Sequence, residues 1–453
     1  MKEQTICALA TPAGNGGIAI LRMSGEDSLP IAKQIFDGRG EILPRQMVLG
    51  YIRDGKTPID QVLLVYFAAP ASYTGEDVVE IHCHGGMMAA QMILDLLMEK
   101  GAVPAQPGEF TKRAFLHGKM DLSQAEAVGE LIGSLSKKGA AVSARQLRGD
   151  LMKKIRELQD RLTDCIAALE AGIEYPEEDL EEAILQAQMP GLKKIEKELH
   201  KLLSSYREGR MLREGIQVAI AGRPNVGKSS LLNAIFGEEK AIVTDIPGTT
   251  RDVVKEYRTI HSVPVVFLDT AGIRETQDAV EKIGVERSRA ALADCSLILF
   301  LLDGAETLTP EDSDIFREIS RQEKPVLLVL NKTDLNRKTT AADVVEAFGK
   351  APMEISAATG EGIDALLEEV YRAAIRDEEM LEGVVITEKR HQAALAAASD
   401  ALGDAIRALE AGMDLDCASI DLKACWDKLG EITGETLGEE IIDRIFTKFC
   451  LGK

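Results

Sequence analysis

The chain has 453 residues, too many for a single core, so about two to four domains are expected. Hydrophobic residues make up 45% of it, which excludes disorder as its main feature, and the formal charge of −21 works against indiscriminate binding to nucleic acid phosphates. With aromatic residues at only 4%, base-stacking platforms are scarce, so any RNA contact must be local, shaped or shared with a basic partner.

No apolar run approaches the length needed to cross a bilayer, and the first residues, MKEQTICALATPAG, lack signal-peptide organisation. A cytoplasmic protein without a membrane partner is expected. The cysteines at 7, 83, 165, 295, 417, 425 and 450 are scattered and never form C-x-x-C, so neither a disulfide framework nor a zinc knuckle is indicated.

Residues 1–118 read as an α+β domain. Gln4 to Leu9 and Gly17 to Met23 have strand character on either side of a glycine-rich turn. Val48 to Arg53 and Gln61 to Ala68 flank Asp54-Gly55, a hairpin signal. Asp77 to Cys83 reads as a further strand, entering Gly85-Gly86 and a helix with apolar positions at Met88, Met92, Leu96 and Leu97. His82-Cys83-His84 invites a metal reading, but strand alternation puts the histidines on one face and Cys83 on the other, with no further ligand pair nearby.

Residues 119–215 are helical in texture. Ser123-x-x-Glu126 fits a capping box. Leu147, Leu151, Ile155, Leu158, Leu162, Ile166, Leu169 and Ile173 recur at spacings of three and four, a stripe for packing against other helices that Gly172 and Pro176 end. A second helix is expected from about Pro190, with Leu192, Ile195, Leu199, Leu202 and Tyr206 on one face. Arg145, Arg148, Lys153, Lys154 and Arg156 are read as a solvated outer face in preference to an RNA contact.

Residues 216–378 carry the chemistry. An apolar strand enters Gly222-Arg-Pro-Asn-Val-Gly227-Lys228-Ser229, which fits G-x-x-x-x-G-K-[ST]. Backbone N–H groups of Asn225, Val226, Gly227, Lys228, Ser229 and Ser230 would cradle phosphates at a helix N-terminus, Lys228 would reach the β- and γ-phosphates, and the Ser229 hydroxyl would bind Mg²⁺. Thr244 to Asp252 is a polar loop in which Thr250 is the switch threonine candidate for Mg²⁺. Val265 to Leu268 delivers Asp269-Thr270-Ala271-Gly272, with Asp269 for the Mg²⁺ shell and Gly272 sensing the γ-phosphate. Asn331-Lys332-Thr-Asp334 places a carboxylate where guanine, unlike adenine, offers a pair of donors, so GTP is preferred over ATP. Ser356-Ala357-Ala358 fits the loop that touches the guanine oxygen. Ile273 stands where Ras-like enzymes place the water-orienting glutamine, so slow hydrolysis is expected unless Glu281 or another group takes that part, with a monovalent cation at Asn225 neutralising charge.

Helical texture returns over residues 379–453: Leu395, Leu402, Ile406 and Leu409 mark one helix, Leu422, Trp426 and Leu429 another, and Ile441, Ile442, Ile445 and Phe449 a last one. The fold class read from this is multidomain: an N-terminal α+β domain, a discontinuous all-α helical domain, and an inserted α/β P-loop GTPase (Ras-like) domain whose movements the helices would feel.

GRPNVGKSS, DIPGTTRD, DTAGIRE, NKTD, the inserted position of the nucleotide domain, SYTGEDVVEIHCHGG, GEFTKRAFLHGKMDLSQAEAV and the terminal Phe-Cys450-Leu-Gly-Lys453 together resemble the MnmE (TrmE) family of tRNA modification GTPases over essentially the whole chain. The resemblance implies work with MnmG, an FAD-dependent partner, to install an aminomethyl or carboxymethylaminomethyl group at C5 of the wobble uridine (U34) of certain tRNAs. It also implies a homodimer formed by the N-terminal domain, which binds 5-formyl-tetrahydrofolate or a related one-carbon folate at Arg22, Glu80, Lys119 and Lys453. It further implies K⁺-stimulated hydrolysis when two nucleotide domains meet, with Asn225, Thr244, Ile246 and Thr249 around K⁺ and Glu281 orienting water. Cys450 matches the family's terminal cysteine, for which direct thiol chemistry and a packing or folate-positioning role both stand open. Leu451 replaces the usual isoleucine. A ribosome-assembly or signalling GTPase is the rival class, and a membrane-remodelling GTPase is disfavoured by the absence of a basic amphipathic helix or lipid anchor.

Overall fold

The computed structural model describes residues 4–174, 178–237, 257–269, 292, 295–322, 324–375 and 383–453, with 178–182 and 269 described by their backbone alone. Strands with period-two apolar patterning build the first sheet: β1 (Ile6–Leu9), β2 (Ile18–Ser24), β3 (Phe36–Gly38), β4 (Met47–Asp54), β5 (Thr57–Phe67), β6 (Val78–His84) and β7 (Val103–Pro104). They pair in the order β3-β4-β5-β6-β2-β1-β7, antiparallel except for β1 with β7. Helices α1 (Ser28–Ile35) and α2 (Met87–Glu99) cover one face, where Leu21, Met23, Ile81 and Cys83 join Ile31, Ile35, Ile93 and Leu97 in one apolar cluster. Arg22 and Glu80, opposite each other in register, therefore project together from the other face. The buried side of α2 is Ala90, Ile93, Leu96 and Leu97. Met88 and Met92, read with Leu96 and Leu97 as apolar positions of this helix, are exposed instead.

Next come α3 (Glu109–Leu116), α4 (Leu122–Ile132), α5 (Lys137–Leu147), α6 (Asp150–Glu174), α7 (Glu178–Ser204) and α8 (Tyr206–Glu214). The capping box of α4 is Asp121 with Gln124, not Ser123 with Glu126: the Asp121 carboxylate accepts from the backbone N–H of Ser123 and Gln124, and the Gln124 side chain accepts from Asp121 N. Glu126 is thereby left to face another helix. The second long helix starts at Glu178 and runs through Pro190 instead of starting there. Ile184, Leu185 and Met189 before the proline and Leu192, Ile195 and Leu199 after it pack on one core, which offsets the lost backbone bond.

The inserted sheet consists of β8 (Ile216–Ala221), β9 (Tyr257–Ile260), β10 (Val263–Asp269), β11 (Leu297–Asp303), β12 (Val326–Asn331) and β13 (Met353–Glu354) in the order β13-β12-β11-β8-β10-β9, parallel except for β9 with β10. Helices α9 (Lys228–Phe236), α10 (Pro310–Ser320), α11 (Ala341–Phe348) and α12 (Ile363–Ala374) accompany it. Every residue of β8 and β11 is buried, which is why these strands are apolar nearly throughout, with Gln217 and Asp303 the polar exceptions. The core around Val218, Ile220 and Val265 also takes in Val142 of α5, Met211 and Leu212 of α8, and Val385, so nucleotide domain and helices share apolar contacts.

The chain closes with α13 (Lys389–Glu410), α14 (Leu415–Thr433) and α15 (Glu439–Phe446). Leu151, Leu158, Leu162 and Leu199 from before the insert lie in one cluster with Leu395, Leu402, Leu422 and Leu429 from after it, so the helical domain is discontinuous in sequence and continuous in space. Each such leucine contributes about 1.5–3 kcal/mol on burial. Exposed pairs such as Lys193–Glu410 are screened by water and contribute little, so the bundle is held by its apolar seam. In α15, Ile442 and Phe446 face inward while Ile441 is exposed.

Candidate functional site: a nucleotide cradle and a polar cluster at the C-terminal turn

Strand β8 ends at Ala221, and the loop from Gly222 turns the chain into α9, whose N-cap is Gly227 at φ +99°. A Cβ at Gly227 would collide with the Asn331 side chain, so only glycine allows the loop this close to the strand β12 that carries Asn331. Buried Asn331 uses that proximity: its Nδ2 donates to Val226 O at 2.9 Å and its Oδ1 accepts from Ala357 N at 3.0 Å. Lys332, at φ +64°, donates from Nζ to Asn225 O at 2.9 Å and to the buried carboxylate of Asp303 at 2.6 Å. Ser356 Oγ donates to Asp334 Oδ1 at 2.7 Å. The phosphate loop, the Asn331–Asp334 loop and the Ser356–Ala358 loop are thus one fastened unit at the carboxyl edge of the sheet, where doubly wound folds bind ligands.

Lys228 Nζ donates to the carbonyls of Gly222 at 2.6 Å and Arg223 at 3.0 Å, while Ser229 and Ser230 lie exposed on the first turn of α9. Asp334 is exposed as well, so its carboxylate loses water only beneath a bound base. These residues fit a guanosine phosphate: a helix N-terminus free of side-chain bulk at Gly227, a cation in the cradle, and an oriented carboxylate for the base. Asn225, at φ +65°, is exposed and its carbonyl is taken by Lys332. Thr244, Ile246, Thr249, Thr250, Thr270, Ala271, Gly272, Ile273 and Glu281 lie outside the described residues. The backbone of Asp269 ends β10, paired with Ile220 of β8.

A second cluster forms on the outer face of the first sheet. The Arg22 guanidinium binds Glu80 through Nε at 2.9 Å and Nη2 at 2.8 Å, with its Cζ 5.6 Å from the Tyr73 ring centre and 5.7 Å from that of Phe110. His82 Nε2 lies 3.4 Å from the other Glu80 oxygen. The C-terminal turn docks here: Cys450 O accepts from Gly108 N at 3.3 Å, and Gly452, at φ +88°, sits so close to the Leu9 carbonyl that a Cβ would collide with it. Burial, and then the positive charge of Arg22, hold the Lys453 ammonium below its usual pKa, with Glu80 and Cys450 pulling the other way. The structure therefore gathers Arg22, Glu80, Lys453 and Cys450. Lys119 donates from Nζ to Pro70 O at 2.9 Å, in a separate contact. This pairing of two cations and one carboxylate beside two rings fits an anionic aromatic ligand. Tyr73, Phe110 and Asp303 carry no site signal of their own in the sequence, and His82 drew only a metal reading; Tyr73, His82 and Phe110 sit inside the long stretches that carry the family resemblance, and Asp303 closes an apolar strand much as Asp269 does.

Cys83 is buried on the helix-covered face, whereas His84 bonds Asp60 at 2.7 Å and His82 bonds Glu80, so this triplet is divided among three environments. Among the described residues no group of three or more His, Cys, Asp or Glu side chains could hold a metal ion. Several of the basic residues before and within α6 are engaged by acids: Arg148 with Asp150, Lys154 with Glu157 and Glu198, and Arg156 with Glu435. No helix of the described residues is long and apolar enough to cross a membrane.

A phosphate loop, a guanine-reading loop and the doubly wound sheet that joins them define a P-loop GTPase, here inserted into a helical domain that follows an α+β domain. The family model described as the MnmE helical domain matches residues 122–450, and that described as GTP-binding protein TrmE N-terminus matches residues 5–119. The tRNA modification GTPase MnmE of Clostridioides difficile (strain 630) is 44% identical over 461 aligned residues, covering 100% of this chain and 99% of its own, and that of Natranaerobius thermophilus is 45% identical over 460, covering 100% of both. The chain belongs to the MnmE family of tRNA modification GTPases. Among solved structures, a variant of Aquifex aeolicus Era bound to GDP·AlF4⁻ is 31% identical and covers 41% of this chain and 65% of that one, at a TM-score of 0.29, too low to carry weight.

Proposed function

We propose that this chain hydrolyses GTP to drive formation of the (carboxymethyl)aminomethyl group at C5 of the wobble uridine of certain tRNAs, acting in the cytoplasm as a homodimer with an FAD-dependent MnmG partner. The observation that carries the reading is the fastening of the Asn331–Asp334 loop to the phosphate loop through Asn331 and Lys332, in a chain whose family is named for tRNA modification.

In this reading Lys228 leaves the loop carbonyls for the β- and γ-phosphates, and Asp334, oriented by Ser356, reads guanine. Mg²⁺, held by Ser229, Thr250 and the Asp269 shell, supplies charge neutralisation at the phosphates. Asn225, Thr244, Ile246 and Thr249 would hold K⁺, which would supply the positive charge that an arginine finger supplies elsewhere when two nucleotide domains meet, and Glu281 would orient the water that Ile273 cannot. The cluster of Arg22, Glu80 and Lys453 receives a 5-formyl-tetrahydrofolate-type one-carbon donor, to which Lys119, bonded to Pro70 O, would have to reach; the cations suit its glutamate carboxylates and Glu80 the donor edge of its pterin. Cys450, half-buried in the docked C-terminal turn, serves there as a positioning residue or as a thiol acting on the one-carbon unit.

The test is mass-spectrometric nucleoside analysis of tRNA from cells lacking the chain, complemented with the parent protein or with Lys228→Ala. Only the parent is expected to restore the modified wobble uridine. Normal modification in the deletion strain, or defective ribosomal subunits with normal tRNA, would point to the rival class of ribosome-assembly GTPase.

A further inference from the structure

Arg223 occupies the first variable position of the phosphate loop, where a guanidinium would be expected to serve the phosphates. Its side chain turns away from the loop. Nε donates to Asp312 Oδ1 at 2.7 Å, and Nη1 lies 3.6 Å from Glu306. Asp312 sits in the first turn of α10 and is 0% exposed; its second oxygen accepts from Thr309 N at 2.9 Å and Thr309 Oγ1 at 3.0 Å, closing the capping box of that helix. A fully buried carboxylate is thus matched by one guanidinium and one helix cap, with no further described partner. Meanwhile the backbone carbonyls of Gly222 and Arg223 are the two that hold Lys228.

We infer that Arg223 and Asp312 are positioning residues: their ion pair clamps the entry of the phosphate loop onto α10, and so sets how tightly Lys228 and the loop amides close on the nucleotide phosphates. The clamp complements the two at the other end of the loop, Asn331 on Val226 and Lys332 on Asn225. Arg223 is therefore not a phosphate ligand, and its loss acts through the backbone it anchors. The inference rests on the reading of this loop as the nucleotide site.

The test is equilibrium binding of a fluorescent GDP analogue to the full chain, with GTP turnover measured in parallel, for the parent, Arg223→Gln, Asp312→Asn, the double variant and Lys228→Ala. Asp312→Asn keeps an acceptor for Thr309, and Arg223→Gln leaves the helix cap untouched, so neither variant depends on the other's fold. Each single variant should weaken GDP by about tenfold, the double variant by no more than the worse single one, and Asp312→Asn should raise KM for GTP while kcat at saturation stays within about twofold. Parent-like affinity in both single variants, multiplicative losses in the double variant, or a fall in kcat for Asp312→Asn at saturating GTP would each overturn the clamp. A parent protein that binds GDP no better than Lys228→Ala would overturn the nucleotide-site reading and the clamp with it.

Discussion

In the proposed function Asp334 would select the base with very little structure around it. It is exposed, with one oxygen occupied by Ser356 and the other left for a ligand, so discrimination arises when a base covers it and an adenine leaves it unpaired. Replacing Asp334 with Asn should weaken GTP by about two orders of magnitude and favour xanthosine triphosphate in competition binding. Retained guanine preference would mean that the base is read elsewhere. Glu126 and Glu130, one turn apart on α4, titrate in opposite directions. Burial alone would raise the Glu126 pKa, but His391 and Arg390 outweigh it and hold the group at about 2. Burial, and then the charge of Glu388, push Glu130 up to about 7 against Thr387 and Arg213. The ordinary value is 4.5 for both. Glu126 accordingly contributes stability that is present above pH 4.5 and lost as pH falls toward 2, whereas the Glu130 contribution is complete below pH 4.5 and lost as pH rises through 7. In thermal unfolding across pH, Glu130→Gln should be more stable than the parent at about pH 8, with the difference fading toward pH 5. Glu126→Gln should lose about 3 kcal/mol at neutral pH, and less in acid. The opposite ordering would refute both assignments.

At the scale of elements, the helices are built from spacing but placed by their partners. The stripe from Leu151 to Leu169 on α6 is legible without a structure; that it meets Leu402 of α13 and Leu422 of α14 follows only from tertiary contact. Leu402 is fully buried in that seam, so Leu402→Ala should cost about 2–5 kcal/mol in denaturant unfolding followed by helical signal. A loss below about 1 kcal/mol would place the seam elsewhere. Ends of elements are harder to read than their interiors. Ser123 and Asp121 are both competent caps two residues apart, and what decides between them is that Glu126 is drawn toward Arg390 and His391. Buried thiols in these elements are held in the protonated form: burial raises Cys425 of α14 to about 12 and Cys83 of β6 to about 11, with Asp60 adding to the latter.

Over the whole molecule, the path from nucleotide to helices is the shared core. Val142, Met211, Leu212 and Val385 pack with the β-sheet residues Val218 and Val265, and Gln146 Nε2 donates to Val385 O at 2.8 Å where the chain re-enters the helical domain. Arg213, one residue from the end of α8 and just before β8, is paired with Glu214 and Glu388. A shift of β8 and its loop must therefore be felt in α5 and α8. Hydrogen exchange on the full chain should change over residues 137–147 and 206–214 when GDP is exchanged for a non-hydrolysable GTP analogue. Identical protection in both states would leave the insert uncoupled from its host.

Sequence alone determined the P-loop GTPase class, because its signature loops are short contiguous strings whose chemistry is local: those around Gly227-Lys228 and Asn331–Asp334 each follow an apolar strand. It also determined that helices flank an insertion, since three-and-four spacing is a property of neighbours in the chain. Tertiary structure alone decided which distant side chains meet. The ion pair of Arg22 with Glu80 follows from strand register, the docking of Gly452 against Leu9 from the path of the last helix, and the clamp of Arg223 on Asp312 from the crossing of a loop and a helix. Pairing energy between such groups depends on distance through space, and no pattern along a chain encodes that distance until the cores on which the elements pack have formed.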